Sequence, residues 1–103
     1  MQILKIFLKG TFSSGWEVEL LYFLRKNENE SWTLAQLVKH FEVEHDQMLK
    51  SLKGLSSKGL IVENEDLQDY RYSAKTSEQS ALVELLVKVF EKKKLRLIRM
   101  IYE

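Results

Sequence analysis

The sequence of 103 residues contains no cysteine and no proline. The absence of cysteine excludes disulfides, thiolate nucleophiles and cysteine metal sites, and it is typical of a reducing compartment. Only four glycines occur, and no linker rich in glycine, serine and proline divides the chain, so we expect one domain over 1–103. The 16 Lys and Arg almost balance the 15 Asp and Glu. Any contact with DNA must therefore come from a local patch.

Long apolar runs are also missing. The opening stretch MQILKIFLKGTF is interrupted by Lys5 and Lys9, and it falls well short of the roughly 20 apolar residues of a membrane span. It lacks the small-residue cleavage site of a signal peptide. We therefore expect a cytoplasmic protein with no membrane partner.

Motifs of catalysis are absent as well. His40 and His45 are five residues apart and do not share a helical face, so no metal site is predicted. No serine lies in a G-x-S-x-G pattern, and no glycine-rich phosphate loop occurs. The carboxylates are scattered, without a predicted cleft that would raise a pKa. We expect no enzymatic activity, no cofactor and no metal.

What the sequence does contain is a series of helical stripes. A short amphipathic opening helix is predicted from the helical spacing of Leu4, Phe7, Leu8 and Phe12. Capping-box patterns predict further helices that start after Ser14, Thr33 and Thr76. The first of these ends near 26 and the last near 92, with helical spacing continuing through 95–102. A helix with Met48, Leu52 and Leu55 on its inner face is predicted to end at the Lys58–Gly59 pair.

Strand signals are few. Ser31–Trp32 is a short extended piece, and 60–62 and 70–72 predict a hairpin with the polar loop 63–69. The fold class is therefore mainly α with a small β-hairpin.

In this order of elements, residues 16–73 resemble the winged helix-turn-helix of MarR- or ArsR-type transcriptional regulators. The closest likeness runs from Thr33 to Val62. It comprises a tight turn between two helices and a core pattern before the hairpin, formed by Met48, Leu52, Leu55, Gly59 and Leu60. The resemblance implies a winged helix with extra N- and C-terminal helices, and sequence-specific binding of double-stranded DNA as a regulator of transcription. Its pattern is mostly core spacing, which is specific for fold rather than function.

The resemblance also implies where DNA would bind. The second helix of such a motif enters the major groove, and on this chain it starts near His45. The positions taken as outward and DNA-binding are His45, Gln47, Lys50, Ser51 and Lys53. Thr33 caps a helix whose N-terminus can bind phosphate. Arg71 or Lys75, on or after the wing, could bind phosphate as well.

Other residues favour an alternative. Glu63, Glu65, Asp66 and Asp69 place four carboxylates on the wing loop, where they would repel phosphate, and Leu49 is also taken as outward. These features favour a winged-helix protein–protein interaction module that does not bind DNA on its own and meets a partner through the wing. A third option is an effector-sensing domain whose ligand lies at a dimer interface. In that case the pocket would be lined by aromatic residues, namely Trp16, Tyr22, Phe23 and Trp32.

The last predicted helix has two apolar stripes, more than a terminal helix needs for its own core. We therefore expect 77–103 to form the dimerisation segment of a two-fold homodimer. Its interface would consist of Leu82, Val83, Leu86, Val87 and Phe90. Alternatively, the tail 95–102 or the opening helix folds back and covers the second stripe. The basic run 88–99 is interpreted either as a solvated helix face or as a patch for a nucleic-acid backbone or an anionic surface.

Overall fold

The computed structural model describes residues 2–102. Its elements in chain order are α1 (Gln2–Thr11), α2 (Gly15–Lys26), β1 (Trp32–Thr33), α3 (Leu34–Phe41), α4 (His45–Ser57), β2 (Ile61–Asn64), β3 (Asp69–Tyr72) and α5 (Ser77–Tyr102). The three strands form an antiparallel sheet in the order β1-β3-β2. The predicted fold class, mainly α with a small hairpin, is confirmed at this level. Residues 1 and 103, the ends of the predicted domain 1–103 and segment 77–103, lie outside the described residues.

Two of the predicted capping boxes fix the starts of α3 and α5. The Gln36 N–H donates to Thr33 Oγ1 at 3.2 Å, and the Thr33 N–H donates to Gln36 Oε1 at 2.9 Å. Thr76 and Gln79 exchange the same pair of bonds at 3.1 and 3.3 Å. Each box satisfies two backbone donors that the first helical turn leaves free, so both helices begin where the sequence predicts.

The turns beside α4 use left-handed backbone. Glu42 ends α3 with φ of 54°, which leaves two residues before α4. Gly59 follows α4 with φ of 79°, and a Cβ there would lie 3.0 Å from Lys75 Cβ. Glycine is therefore required at this position on both conformational and steric grounds.

The hairpin pairs Ile61 with Tyr72 and Glu63 with Tyr70. Tyr70 and Tyr72 are buried while Arg71 between them is exposed, as expected from the alternation of side chains along a strand. One face of the sheet therefore covers the core and the other faces solvent.

Every helix contributes to one core. A leucine with no exposed area comes from each, namely Leu8, Leu21, Leu37, Leu52 and Leu86. Burial of this kind supplies roughly 1.5–3 kcal/mol per side chain, which holds the short helices in place. Within residues 2–102, none of the helices combines the length and apolar character that a membrane span requires.

The C-terminal part of α5 folds back within the chain. The helix is interrupted at Lys93, where φ is −144° and ψ is 61°. Beyond it Leu97 is fully buried, and the Gly15 N–H donates to Tyr102 Oη at 2.9 Å. A Cβ on Gly15 would lie 2.8 Å from Ile98 Cγ2, so this glycine permits the close approach. The sequence left open whether a second copy covers the second stripe of the last helix, or the tail or opening helix does so. In the structure the tail and α1 both pack within the chain.

Candidate nucleic-acid interface

α4 is amphipathic, with one face in the core and the other in solvent. Met48 and Leu52 have no exposed area, whereas Gln47, Lys50 and Lys53 are exposed. These last three are predicted DNA-binding residues, and the fold brings them together along one exposed surface of a single helix.

Ser51 corrects the sequence prediction. It was assigned to the outward face, but it is only 7% exposed, and its Oγ donates to Glu17 Oε2. The physical reason is helical spacing: Ser51 lies three residues after Met48 and four before Leu55, so it shares their buried face. Ser51 therefore positions α4 through Glu17 and does not lie on the exposed face of the helix.

Glu17 ties the start of α2 to α4. Its Oε1 accepts hydrogen bonds from the Ser13 N–H at 2.7 Å, Ser13 Oγ at 2.8 Å and the Ser14 N–H at 3.2 Å. Partial burial raises the pKa of Glu17, but the hydrogen bonds from Ser51, Ser13 and Ser14 outweigh that effect and leave the pKa lowered. The carboxylate is therefore charged at neutral pH and fixes α4 relative to the α1–α2 corner.

One flank of α4 is basic. A hollow of about 510 Å³ between α4 and the α1–α2 corner is lined by Lys9, Lys50 and Lys58, against the single carboxylate of Glu17, with Gln47, Ser13 and Ser51 among its polar groups. We call it the basic hollow. The Lys58 Nζ donates to the Thr11 carbonyl at 3.0 Å, which holds this lysine at the corner. Sequence reasoning did not select Lys9 or Lys58, because it gave no position for α1 relative to α4.

The other flank is acidic. A hollow of about 470 Å³ between α4 and the hairpin is lined by Glu63, Glu65 and Leu67 together with His45 and Leu49 of α4. We call it the acidic hollow. Thr33, the predicted phosphate-binding cap, also lines it. Two of the predicted DNA-binding residues, Thr33 and His45, are thus beside carboxylates rather than beside the lysines.

Arg71 lies apart from α4. It is exposed on the solvent face of β3 and lines a separate hollow with Glu63, Glu65 and Asp69. Lys75, the other suggested phosphate contact, lines a hollow with Ser56 at the end of α4 and again with Glu63 and Glu65. The hairpin cations are therefore surrounded by acidic residues, which reduces their attraction for phosphate.

The residues predicted to form a dimer interface lie mostly inside the chain. Val83 and Leu86 have no exposed area and Val87 is 8% exposed. Leu82 is half-buried. Phe90 stacks on Tyr22 of α2 with ring centroids 4.1 Å apart. These side chains hold α5 against the chain's own core, so little of them is left for a second copy.

The aromatic residues suggested for an effector pocket also pack together. The ring centroid of Phe23 lies 4.8 Å from that of Trp32 and 5.5 Å from that of Phe41. The ring centroids of Trp16 and Phe41 are 6.5 Å apart. Of these four, only Trp16 lines one of the hollows beside α4. The cluster is a part of the core that connects α2, β1 and α3.

The site therefore consists of an exposed polar helix face between a basic and an acidic hollow. In the part of the chain that the structure describes, no group of three or more metal-ligating side chains converges. Comparison with protein-family models, with curated proteins and with solved structures found no match to this chain, so inferences about its function rest on α4 and its two flanks.

Proposed function

We propose that the protein is a winged-helix domain that binds double-stranded DNA sequence-specifically through α4 and regulates transcription. The order of elements from α2 to β3, with β1 joined to the hairpin as a third strand, supports the winged-helix assignment. The single observation that carries the DNA-binding proposal is the exposed surface formed by Gln47, Lys50 and Lys53. Direct readout in the major groove needs such a polar helix face, fixed on a rigid scaffold.

The chemistry of these side chains suits readout. The Gln47 amide can accept from and donate to adenine, and the ammonium groups of Lys50 and Lys53 can reach guanine acceptors or phosphates. With α4 in the groove, one phosphate backbone passes the basic hollow, where Lys9 and Lys58 add positive charge. The hydrogen bond from Ser51 to Glu17 opposes rotation of α4 about its own axis. Gln47, Lys50 and Lys53 therefore keep their orientation toward the groove.

The test is fluorescence anisotropy of labelled duplexes, with the DNA upstream of the protein's own gene compared with a random sequence. We expect tighter binding of the upstream duplex at moderate salt, and loss of that binding in Lys50→Glu/Lys53→Glu. Lys39→Glu/Arg99→Glu is the matched control, because it changes net charge equally at exposed positions that line neither hollow. Equal binding by both double variants, or none by the wild type even at low salt, would contradict the proposal.

A second candidate function is a protein-interaction module, and the acidic hollow favours it. Leu67 is 66% exposed between carboxylates, and Leu49 lines the same hollow. An apolar floor beside Glu63 and Glu65 suits a basic protein segment better than DNA. A photo-crosslinker at Leu67 tests this, with one at Lys39 as control. Specific crosslinking at 67 to one protein other than this chain supports the module, and crosslinking to DNA contradicts it.

A further inference from the structure

An apolar groove with a basic rim lies on α5, away from the surfaces beside α4. Half-buried Leu85 and Val89 form its floor, and Lys88, Lys92, Lys93 and Arg96 surround a hollow of about 480 Å³. All of its lining residues belong to α5. We call it the α5 groove.

The charge of the rim cations is not neutralised within residues 2–102. Among residues 2–102, no ion pair is formed by Lys88, Lys92, Lys93 or Arg96. The nearby acids are used elsewhere: Glu84 binds Arg25, and Glu91 binds Tyr22 and Lys26 of α2. The groove therefore presents uncompensated positive charge around an apolar floor.

The hairpin tip, residues 63–69, has the complementary character. Leu67 is 66% exposed, and Glu65 and Asp66 beside it are exposed. Asn64 Oδ1 accepts from the Asp66 N–H at 3.1 Å and the Leu67 N–H at 3.2 Å. These hydrogen bonds order the turn before any partner binds, which lowers the conformational entropy that is lost when Leu67 contacts a partner.

We propose that the hairpin tip of one protomer docks in the α5 groove of a second copy of this chain. Leu67 packs on Leu85 and Val89, while Glu65 and Asp66 lie among the rim cations. A nucleic-acid backbone would match the charge of the rim alone, whereas the hairpin tip matches both the charge and the apolar floor. This contact differs from an interface through Val83 and Leu86, and it does not depend on DNA binding.

The reciprocal arrangement would close the assembly. If each protomer inserts its tip into the groove of the other, the two contacts are related by a two-fold axis and growth stops at the dimer. A one-sided contact would leave a free tip and a free groove, and it would extend into chains. The closed pair is the favoured arrangement, because it uses both the tip and the groove of both copies.

Analytical ultracentrifugation of the full chain over a concentration series tests the contact. We expect reversible dimers that weaken at least about tenfold between roughly 20 and 300 mM NaCl, because the charges lie at the surface. Lys88→Glu/Lys92→Glu and Glu65→Lys/Asp66→Lys should each be monomeric, since each brings like charges together. Leu67→Ser should also weaken the dimer while leaving every charge in place.

Mixing the two charge variants gives the decisive result. Each variant supplies the surface that the other needs, so a one-to-one mixture should recover the dimer. Glu30→Lys/Glu78→Lys is the matched control, because it adds the same charge at exposed positions outside the tip. Because this control keeps its own tip and groove, it dimerises by itself, so the groove variant Lys88→Glu/Lys92→Glu carries a fluorescent label that sedimentation follows. Glu65→Lys/Asp66→Lys should bring the label into dimers, whereas the control should leave most of it monomeric.

Three outcomes would overturn the proposal: a wild type that stays monomeric at low salt, a mixture that recovers no more than its control, or a dimer that Leu67→Ser leaves intact. A monomeric wild type that instead binds vesicles of anionic lipid would assign the α5 groove to a membrane surface. Circular dichroism of each variant confirms that folding is retained.

Discussion

The two flanks of α4 are similar in size and opposite in charge. The basic hollow measures about 510 Å³ and is lined by Lys9, Lys50 and Lys58. The acidic hollow measures about 470 Å³ and is lined by Glu63 and Glu65. A net charge of +1 for the whole chain conceals this polarity. A duplex approaching α4 would be attracted at the α1–α2 corner and repelled at the hairpin, so the arrangement favours an off-centre approach toward the corner.

The flanks also differ in how they are built. The basic flank joins three parts of the chain, through the bonds from Lys58 to Thr11 and from Ser51 to Glu17. The acidic flank is a single local hairpin, closed by the side chain of Asn64. A change in packing should therefore disturb the basic flank, whereas the acidic flank can be altered by charge alone.

The largest effect is expected from removing the core contact that holds α4 between its flanks. Leu52 has no exposed area, so Leu52→Ala should lower the free energy of unfolding by about 2–5 kcal/mol through lost burial and a residual cavity. The matched change on the exposed face, Lys53→Ala, should stay within about 0.5 kcal/mol. Urea denaturation followed by circular dichroism measures both free energies of unfolding. Equal losses in the two variants would contradict an α4 that buries Leu52 and exposes Lys53.

Neutralising the acidic flank should have the next largest effect, and it should increase DNA binding. Glu63→Gln/Glu65→Gln removes two charges beside α4 without changing side-chain size. We expect DNA affinity to rise about tenfold at low salt, and less at high salt, because surface charges are screened. Anisotropy titrations at two salt concentrations measure this. Glu30→Gln/Glu78→Gln controls for net charge, and an equal gain in that variant would show that the flank has no special role.

The comparison also shows which parts of the site can be predicted from sequence. Short-range patterns predicted the starts of α3 and α5, because the capping boxes at Thr33 and Thr76 involve residues only three positions apart. They also predicted the exposure of Gln47, Lys50 and Lys53. Each of these depends on local hydrogen bonding or on the period of a single helix.

The rest of the site depends on contacts between distant segments. Lys9 joins the basic flank only because the end of α1 lies beside α4, where Lys58 donates to the Thr11 carbonyl, and no local pattern encodes that arrangement. Ser51 is different, since its spacing from Met48 and Leu55 already placed it on the buried face. What the sequence could not indicate was its partner, Glu17, which lies 34 positions away.

The bond between Glu17 and Ser51 should make the basic flank sensitive to acid. The pKa of Glu17 is lowered from its ordinary value of 4.5, so the unfolded chain takes up the proton first as the pH falls. The stability that Glu17 contributes is therefore fully present above about pH 4.5 and is lost as the pH falls through the lower pKa of the folded state. Glu17→Gln should cost about 1 kcal/mol at pH 7.

Thermal melts between pH 3 and 7 measure this effect. The difference in melting temperature between wild type and Glu17→Gln should shrink at the acid end, because protonated Glu17 has also lost its charge. Glu30→Gln is the control, because Glu30 is exposed and forms no ion pair within residues 2–102. A difference that is independent of pH would show that the charge on Glu17 does not hold the flank.

The smallest expected effect concerns one lysine of the basic flank. Lys9 lines the basic hollow although it belongs to α1, and in the proposed complex it binds a single phosphate. Lys9→Gln should lower DNA affinity only about two- to threefold near physiological salt, while the slope of log affinity against log salt falls by about 0.9. Lys39→Gln, at an exposed position that lines neither hollow, removes the same charge and should leave the slope unchanged. If both variants shift the slope equally, the protein attracts DNA through its overall charge, and the basic flank has no distinct role.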